Sequence, residues 1–275
     1  SPIEDQMRNY MSEILTELRD HILIATLNRP DIHNAMSHAG MIDAIVELCE
    51  RINHDDTIRA VILTGAGTSF CAGGNIKDMM NKTNVFGGGA SEIEAAYKNG
   101  IQRIPLALWN VNTPVIAAVN GAAVGAGCDI AMMCDIRLAS STARFAESFV
   151  KLGIIPGDGG AWVLPRVIGQ ARANQMTLTG EMVDATKALE WGMVSKVCAP
   201  EDLMDEASGI AQSIAANPPL AVRETKKLLR KSAQSSLPDM LDLSASVQAE
   251  LHQTEDHMEA LNAFVEKRAG QYQGK

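Results

Sequence analysis

Hydrophobic and polar positions alternate through "ILTELRDHILIATLN" (14–28) on either side of Arg19–His21, and this period of two predicts a pair of strands joined by a tight turn. The polar stretch "RPDIHNAMS" interrupts it. From about His38 to Asn53 apolar positions recur with the spacing of an amphipathic helix. The run "AVILTG" (60–65) predicts a buried strand, followed by the glycine-rich "GAGTSFCAGGNIKDMM". A polar patch, "NKTNVFGGGASE" (81–92), is expected to form a mobile lid ahead of a helix that runs through Trp109. A second apolar strand, "PVIAAVNG" (114–121), leads into "AAVGAGCDIAMMCD", which predicts a loop and a short helix before the strand "DIRLAS" (135–140).

Strand, glycine loop and helix thus alternate to about Ala199, which argues for an α/β core with parallel strands over residues 11–200. From Glu201 onward no strand pattern survives, and residues 201–275 are expected to form a helical unit with apolar faces that need a partner. Pro218 and Pro219 suit the first turn of one of its helices. The stretch "PGDGGAW" (156–162) predicts the start of a helix running to about Ile168, with Asp158 placed to cap its free N–H groups.

Composition narrows the class. Hydrophobic content of 46% against 21% charged residues is that of a globular protein, and 4% aromatic residues point to a core of aliphatic side chains and alanine. A net charge of −9 argues against a nucleic-acid partner or an anionic membrane surface, so an anionic ligand has to be met by local groups. The five cysteines are odd in number and lack CxxC spacing, as expected of reduced core residues. No secretory signal and no apolar run of about 18 residues is present, which predicts a cytoplasmic protein or a matrix protein that has shed a presequence. Met11 could serve as a start codon, and residues 1–10 are set aside from functional argument.

Each of the loops 65–75 and 121–128 follows a buried strand and precedes a helix, so backbone N–H groups at the helix start lack intrahelical partners. Such donors, aided by the helix dipole and by small residues that permit close approach, can hold an oxygen that becomes negative. Two facing loops would form an oxyanion hole. Neither suits a nucleotide, since the first lacks the Lys-Ser/Thr ending of a phosphate loop and the second lacks a third glycine at the dinucleotide spacing. His252 and His257 are not spaced to put two metal ligands on one helix face, and no G-x-S-x-G elbow signals a serine nucleophile.

"TGAGTSFCAGGNIKDM" followed by "NTPVIAAVNGAAVGAGCDIAMMCDIRLAS", and then "KLGIIPGDGGAWVLPRVIG", "ALEWGMVSKV" and "FVEKRAG", resembles the enoyl-CoA hydratase/isomerase (crotonase) family from about Ile14 to Gly270. The resemblance implies a spiral of repeating ββα units with a C-terminal helical trimerisation region, giving a homotrimer or a dimer of trimers. It implies an acyl-CoA substrate, with coenzyme A arriving as part of that substrate and no separate cofactor or metal. The thioester oxygen would sit between the N–H groups of Gly74 and Ala126. Coenzyme contacts are implied for Arg29, for the backbone around Ala72, and for Ile76 and Lys77, with Phe264 and Lys267 reaching the coenzyme in some members from a neighbouring subunit.

Hydratases of this family carry two glutamates. The first position is occupied here by Asp129 and the second by Phe149, which cannot transfer a proton. Glu147, two residues earlier, is expected to point elsewhere and is the poorer substitute, so Asp158, the nearest candidate, and Glu147 are the alternatives for the second carboxyl. In motif the chain is most similar to the 1,2-epoxyphenylacetyl-CoA isomerase-like subgroup, although that subgroup has aspartate directly after the proline, where Gly157 stands here. One base suffices for double-bond isomerisation, which is favoured over hydration. A non-catalytic acyl-CoA-binding homologue is the alternative from a different class.

Overall fold

A computed structural model describes residues 12–275; Met11 and the residues before it lie outside the described residues. The opening alternation forms β1 (Ile14–Arg19) and β2 (Ile22–Leu27), antiparallel with Arg19 opposite Ile22. Asp20 and His21 both take positive φ, the turn geometry whose twist matches that of paired strands. The chain continues through α1 (Ala39–His54), β3 (Ala60–Gly65), β4 (Ser69–Cys71), α2 (Ile76–Asn81), α3 (Ala90–Ala96) and α4 (Arg103–Trp109). Next come β5 (Val115–Val119), β6 (Ala122–Val124), α5 (Ala126–Met133), β7 (Ile136–Ser140) and β8 (Arg144–Ala146). After a 3₁₀ turn at Ser148–Leu152 follow α6 (Gly160–Ile168), α7 (Gln170–Thr179), β9 (Met182–Asp184), α8 (Ala185–Glu190) and β10 (Lys196–Cys198). Four helices complete the chain: α9 (Leu203–Ala215), α10 (Pro219–Ser232), α11 (Leu237–Leu251) and α12 (Glu255–Glu266).

The strands sort into two sheets, of order β1-β2-β3-β5-β7-β10 and β4-β6-β8-β9. In the pairs β3–β4, β5–β6 and β7–β8 the first strand enters the larger sheet and the second the smaller, which is the expected ββα spiral. Apart from β1–β2 and β8–β9, the ladders are parallel. The unbroken apolar runs of β3 and β5 follow from burial on both faces. Ala60, Ile62, Ile116 and Ala118 face Leu203, Ala207 and Ala211 of α9, whereas Val61, Leu63, Val115 and Ala117 face the main core. The first helix of the C-terminal portion therefore seals the outer face of the larger sheet.

Helix α10 is fastened by a buried ionic cluster. Lys226 donates to the Thr113 carbonyl (2.8 Å) and pairs with Asp135 (2.7 Å), while Arg230 donates to the carbonyls of Trp109 (2.6 Å) and Met133 (3.0 Å) and to Asp135 (2.7 Å). Burial raises the Asp135 carboxyl, but the two cations outweigh it and hold the group below the usual range. Helix α11 buries no residue and packs on α10. The chain then turns back, with Asp256 accepting the N–H groups of Gln273 and Gly274 at 2.7 Å each. No helix among the described residues is long and apolar enough to cross a membrane.

The segment expected as a mobile lid contains a 3₁₀ turn at Asn84–Phe86 with Val85 buried, and α3 begins at Ala90. The helix expected through Trp109 is not continuous. A π-helical turn at Tyr97–Ile101, with Gly100 outside helical angles, separates α3 from α4. Such bulges recur beside functional sites.

Candidate active site

The parallel strands β4, β6 and β8 are neighbours in the smaller sheet, so the segments leaving their carboxyl ends lie side by side. These segments are Ala72–Asn75, Gly125–Ala126 and Glu147–Phe149. Position at the carboxyl ends of parallel strands is where open α/β sheets place ligands. The loops are tied together: Gly125 N–H donates to the Ala146 carbonyl (2.8 Å), and Met36 N–H to the Gly73 carbonyl (2.8 Å). A Cβ on Gly127 would stand 2.0 Å from the Cys71 carbonyl oxygen, so α5 and the end of β4 are in backbone contact that only glycine permits.

Gly74 and Ala126 are brought together by this contact, since the intervening Gly73 lies against both the Val124 carbonyl and the Ala126 nitrogen. Ala126 begins α5, so no earlier helical turn accepts from its N–H. The Gly74 N–H has no acceptor among the described residues. A cleft of about 560 Å³ beside these loops is lined by Gly74 and by Gly125, the residue before Ala126, together with Ala72, Ile76, Lys77 and Phe149. The Phe86 ring stands over Gly74, 3.3 Å from where its Cβ would be.

The expected coenzyme contacts divide. Ala72, Ile76 and Lys77 line the cleft. Arg29 does not, although Asp31, Ile32 and His33 do. Its guanidinium is forked onto Asp31 (2.9 and 2.8 Å) and reaches Glu13 (3.3 Å), which raises its pKa further and commits its charge within the protein. Phe264 is 85% exposed on α12, and Lys267 caps the end of that helix; within one chain neither lines the cleft.

Three carboxyl groups near these loops are almost wholly buried and do not line the cleft: Asp129 at 1% exposure, Glu147 at 0% and Asp158 at 6%. Both oxygens of Asp129 and Glu147, and Oδ1 of Asp158, lack a hydrogen-bond donor. Burial, and then the neighbouring Glu147 carboxyl, push Asp129 well above the usual carboxylate range against the opposing influence of the Gly160 N–H. Burial likewise pushes Glu147 up to about 7 and Asp158 up to about 6. A Cβ on Gly160 would lie 2.3 Å from Asp129 Oδ1, so the glycine after the αL residue Gly159 makes room for this carboxyl.

Two expectations are corrected by this geometry. Asp158 does not cap α6: the cap position is Gly159, with no side-chain cap bond, and Asp158 turns into the buried cluster. Glu147 does not point elsewhere. It follows β8 at an alternation of two from the fully buried Phe145, and its carboxyl comes within hydrogen-bonding reach of Asp129. That strand alternation is the sequence signal that would have found it, had β8 been recognisable. Phe149, beyond the start of the 3₁₀ turn, packs its ring against Gly125. Among the described residues no group of three or more His, Cys, Asp or Glu side chains is arranged to hold a metal ion.

The enoyl-CoA hydratase/isomerase family profile matches residues 17–275. The chain belongs to the enoyl-CoA hydratase/isomerase family. Within that family it is 38% identical over 261 residues to a short-chain-enoyl-CoA hydratase of Clostridium acetobutylicum, covering 94% of this chain and 96% of that one. It is also 36% identical over 266 residues to 1,2-epoxyphenylacetyl-CoA isomerase of Escherichia coli, covering 96% and 100% of the two chains. The crystal structure of an enoyl-CoA hydratase from Bacillus anthracis superposes with a TM-score of 0.89 at 33% identity, covering 96% of this chain and 100% of that one. Similarity of this degree to both a hydratase and an isomerase of the family leaves the reaction to be argued from the side chains.

Proposed function

We propose that this enoyl-CoA hydratase/isomerase family enzyme isomerises the double bond of an acyl-CoA thioester through a dienolate. The thioester oxygen lies between the N–H groups of Gly74 and Ala126, each such donor contributing roughly 3–4 kcal/mol to the charged transition state. Asp129 takes a proton from one carbon of the acyl chain as the C–H electron pair moves into the thioester, and returns it to another carbon. Lys77 meets the coenzyme from within the cleft; Phe264 and Lys267 do so from a neighbouring subunit of a homotrimer or dimer of trimers. The proposal needs no cofactor beyond the substrate's own coenzyme A.

The observation that carries this reading is Phe149. Its ring packs on the oxyanion loop at the position from which family hydratases supply a water-orienting carboxylate, so the acyl end of the site is apolar where hydration would need water held. Incubation of a short 3-enoyl-CoA with the protein is expected to raise the ultraviolet absorbance of the conjugated thioester. Asp129→Asn removes nearly all of that turnover with coenzyme A affinity largely intact. Undiminished turnover in this variant would sink the assignment.

One observation favours hydration as the second reading: Glu147 gives the site another carboxyl group despite Phe149. Hydration would be recognised by loss of the conjugated absorbance of a 2-enoyl-CoA. Proven binding with no absorbance change for either substrate would instead support a non-catalytic acyl-CoA-binding protein.

A further inference from the structure

The cluster of Asp129, Glu147 and Asp158 has no cation opposite it. None of the three forms an ion pair among the described residues. The groups facing Glu147 are the Asp129 carboxyl and the Cys128 thiol on α5 and the Asp158 carboxyl ahead of α6. Arg137, whose charge acts on Cys128, spends its guanidinium on the backbone carbonyls of Met193 (2.8 Å) and Cys134 (2.6 Å). Buried charges without partners neutralise by taking protons. Asp129 and Glu147 also meet through carboxyl oxygens that make no hydrogen bond to other groups, a contact that is repulsive if both are ionised and attractive if one proton lies between them.

We infer that Glu147 is the proton-sharing partner of Asp129, the two carboxyl groups holding one proton at rest and serving together as the acid–base unit of the site. The inference rests on the enolate reading above and assigns a role there to a residue two positions from the one expected. In the resting pair the shared proton moves onto Glu147, leaving Asp129 ionised. Asp129 then takes the proton of the acyl C–H bond, whose electron pair passes to the thioester oxygen, and the pair holds two protons. Return of one proton to the other carbon, with the electron pair drawn back from the oxygen, restores the single-proton pair. Glu147 acts through Asp129 and is a positioning residue, whereas Asp129 touches the reacting atoms. Asp158 adds like charge at the edge of the cluster and favours retention of the proton.

The test is Glu147→Gln, which keeps shape and can still donate to Asp129 but cannot store a proton. With 3-enoyl-CoA the variant is expected to keep turnover within about tenfold of wild type, because the amide still donates to ionised Asp129, whereas the alkaline limb of its pH–rate profile, which in wild type reports loss of the shared proton, is expected to disappear. An alkaline limb unmoved from that of wild type would overturn the inference. Should the variant not fold, infrared spectroscopy of the wild-type protein decides. At pH 7 it should show a buried protonated-carboxyl C=O band that persists at full exchange and shifts in deuterium oxide; absence of that band overturns proton sharing. If wild-type protein converts neither 3-enoyl- nor 2-enoyl-CoA and exchanges no acyl protons with solvent, the enolate reading fails, and the infrared band still tests the pair.

Discussion

Asp158 illustrates how burial alone sets the chemistry of a side chain. Its carboxyl is 6% exposed, its Oδ1 has no donor, and burial pushes it up to about 6 from an ordinary value of 3.8. The native state therefore binds this proton more tightly than the unfolded chain does. The resulting stability is fully present below about pH 4 and is lost as the pH rises through 6. Asp158→Asn removes a buried charge at alkaline pH without changing side-chain size. The variant should be more stable than wild type by roughly 2–3 kcal/mol at pH 8, the free-energy equivalent of a shift of about two pH units, and should differ little below pH 4. Thermal melts across that range read the effect, and a variant that melts lower than wild type at pH 8 would contradict it. A helix cap would give that opposite sign, because loss of a cap destabilises by about 1 kcal/mol. Glu147, pushed up to about 7, adds to the same trend, so stability should decline over the window from about pH 4 to 7.

At the level of elements, the contact between α5 and the end of β4 decides whether the oxyanion loops face each other. Gly127→Ala would drive a methyl to 2.0 Å from the Cys71 carbonyl oxygen, so the helix must retreat from the strand. Overpacking of this kind costs about 1–3 kcal/mol, and because Ala126 is displaced with the helix, turnover should fall beyond what reduced stability explains. Urea midpoints and kcat measured together at a temperature where the variant remains folded check both parts; unchanged kcat would show that the loops align without this contact. Such elements were unequally legible in the sequence. The hairpin 14–28, β3, β5 and the two glycine loops announce themselves through alternation, apolar runs and glycine spacing, whereas Asp129 is legible only through the family resemblance, which places the first carboxyl three residues after Ala126. Strands β4, β6 and β8 are only three residues each, too short for a period of two to register. Without β8 in view, the sequence places Glu147 only by its count from Phe149 and not by the strand alternation it shares with Phe145. Asp158 has two readings in the sequence, a helix cap and a replacement carboxyl, because an aspartate among glycines ahead of a helix has the form of a cap; the αL turn at Gly159 takes the cap position instead.

For the whole molecule, the described chain leaves a large apolar surface on its last three helices. Helix α11 buries none of its residues, Leu237 and Leu241 on it are exposed, and Phe264 and Val265 on α12 are more exposed still. Isolated apolar side chains on a surface need no explanation, but this number of them on three successive helices calls for a partner. The expected partner is a further copy of this chain, arranged as a trimer or dimer of trimers so that Phe264 and Lys267 meet the coenzyme bound by a neighbour. Replacing both Leu237 and Leu241 with aspartate places charge in that surface and should shift the solution mass, measured by light scattering, toward that of one chain of 29.5 kDa. The protomer should keep its helical content, since α9 is sealed onto the larger sheet and α10 is fastened through Lys226, Arg230 and Asp135 independently of α11. On the proposed assembly, separation of the subunits would withdraw Lys267 from the coenzyme phosphates, and loss of a charge-assisted hydrogen bond of about 1.5–3 kcal/mol should weaken acyl-CoA binding roughly ten- to a hundredfold. Asp129 and the oxyanion donors all lie within one chain, so kcat at saturating substrate should fall far less than affinity. A monomeric variant with unaltered affinity would show that the coenzyme is held by one chain alone.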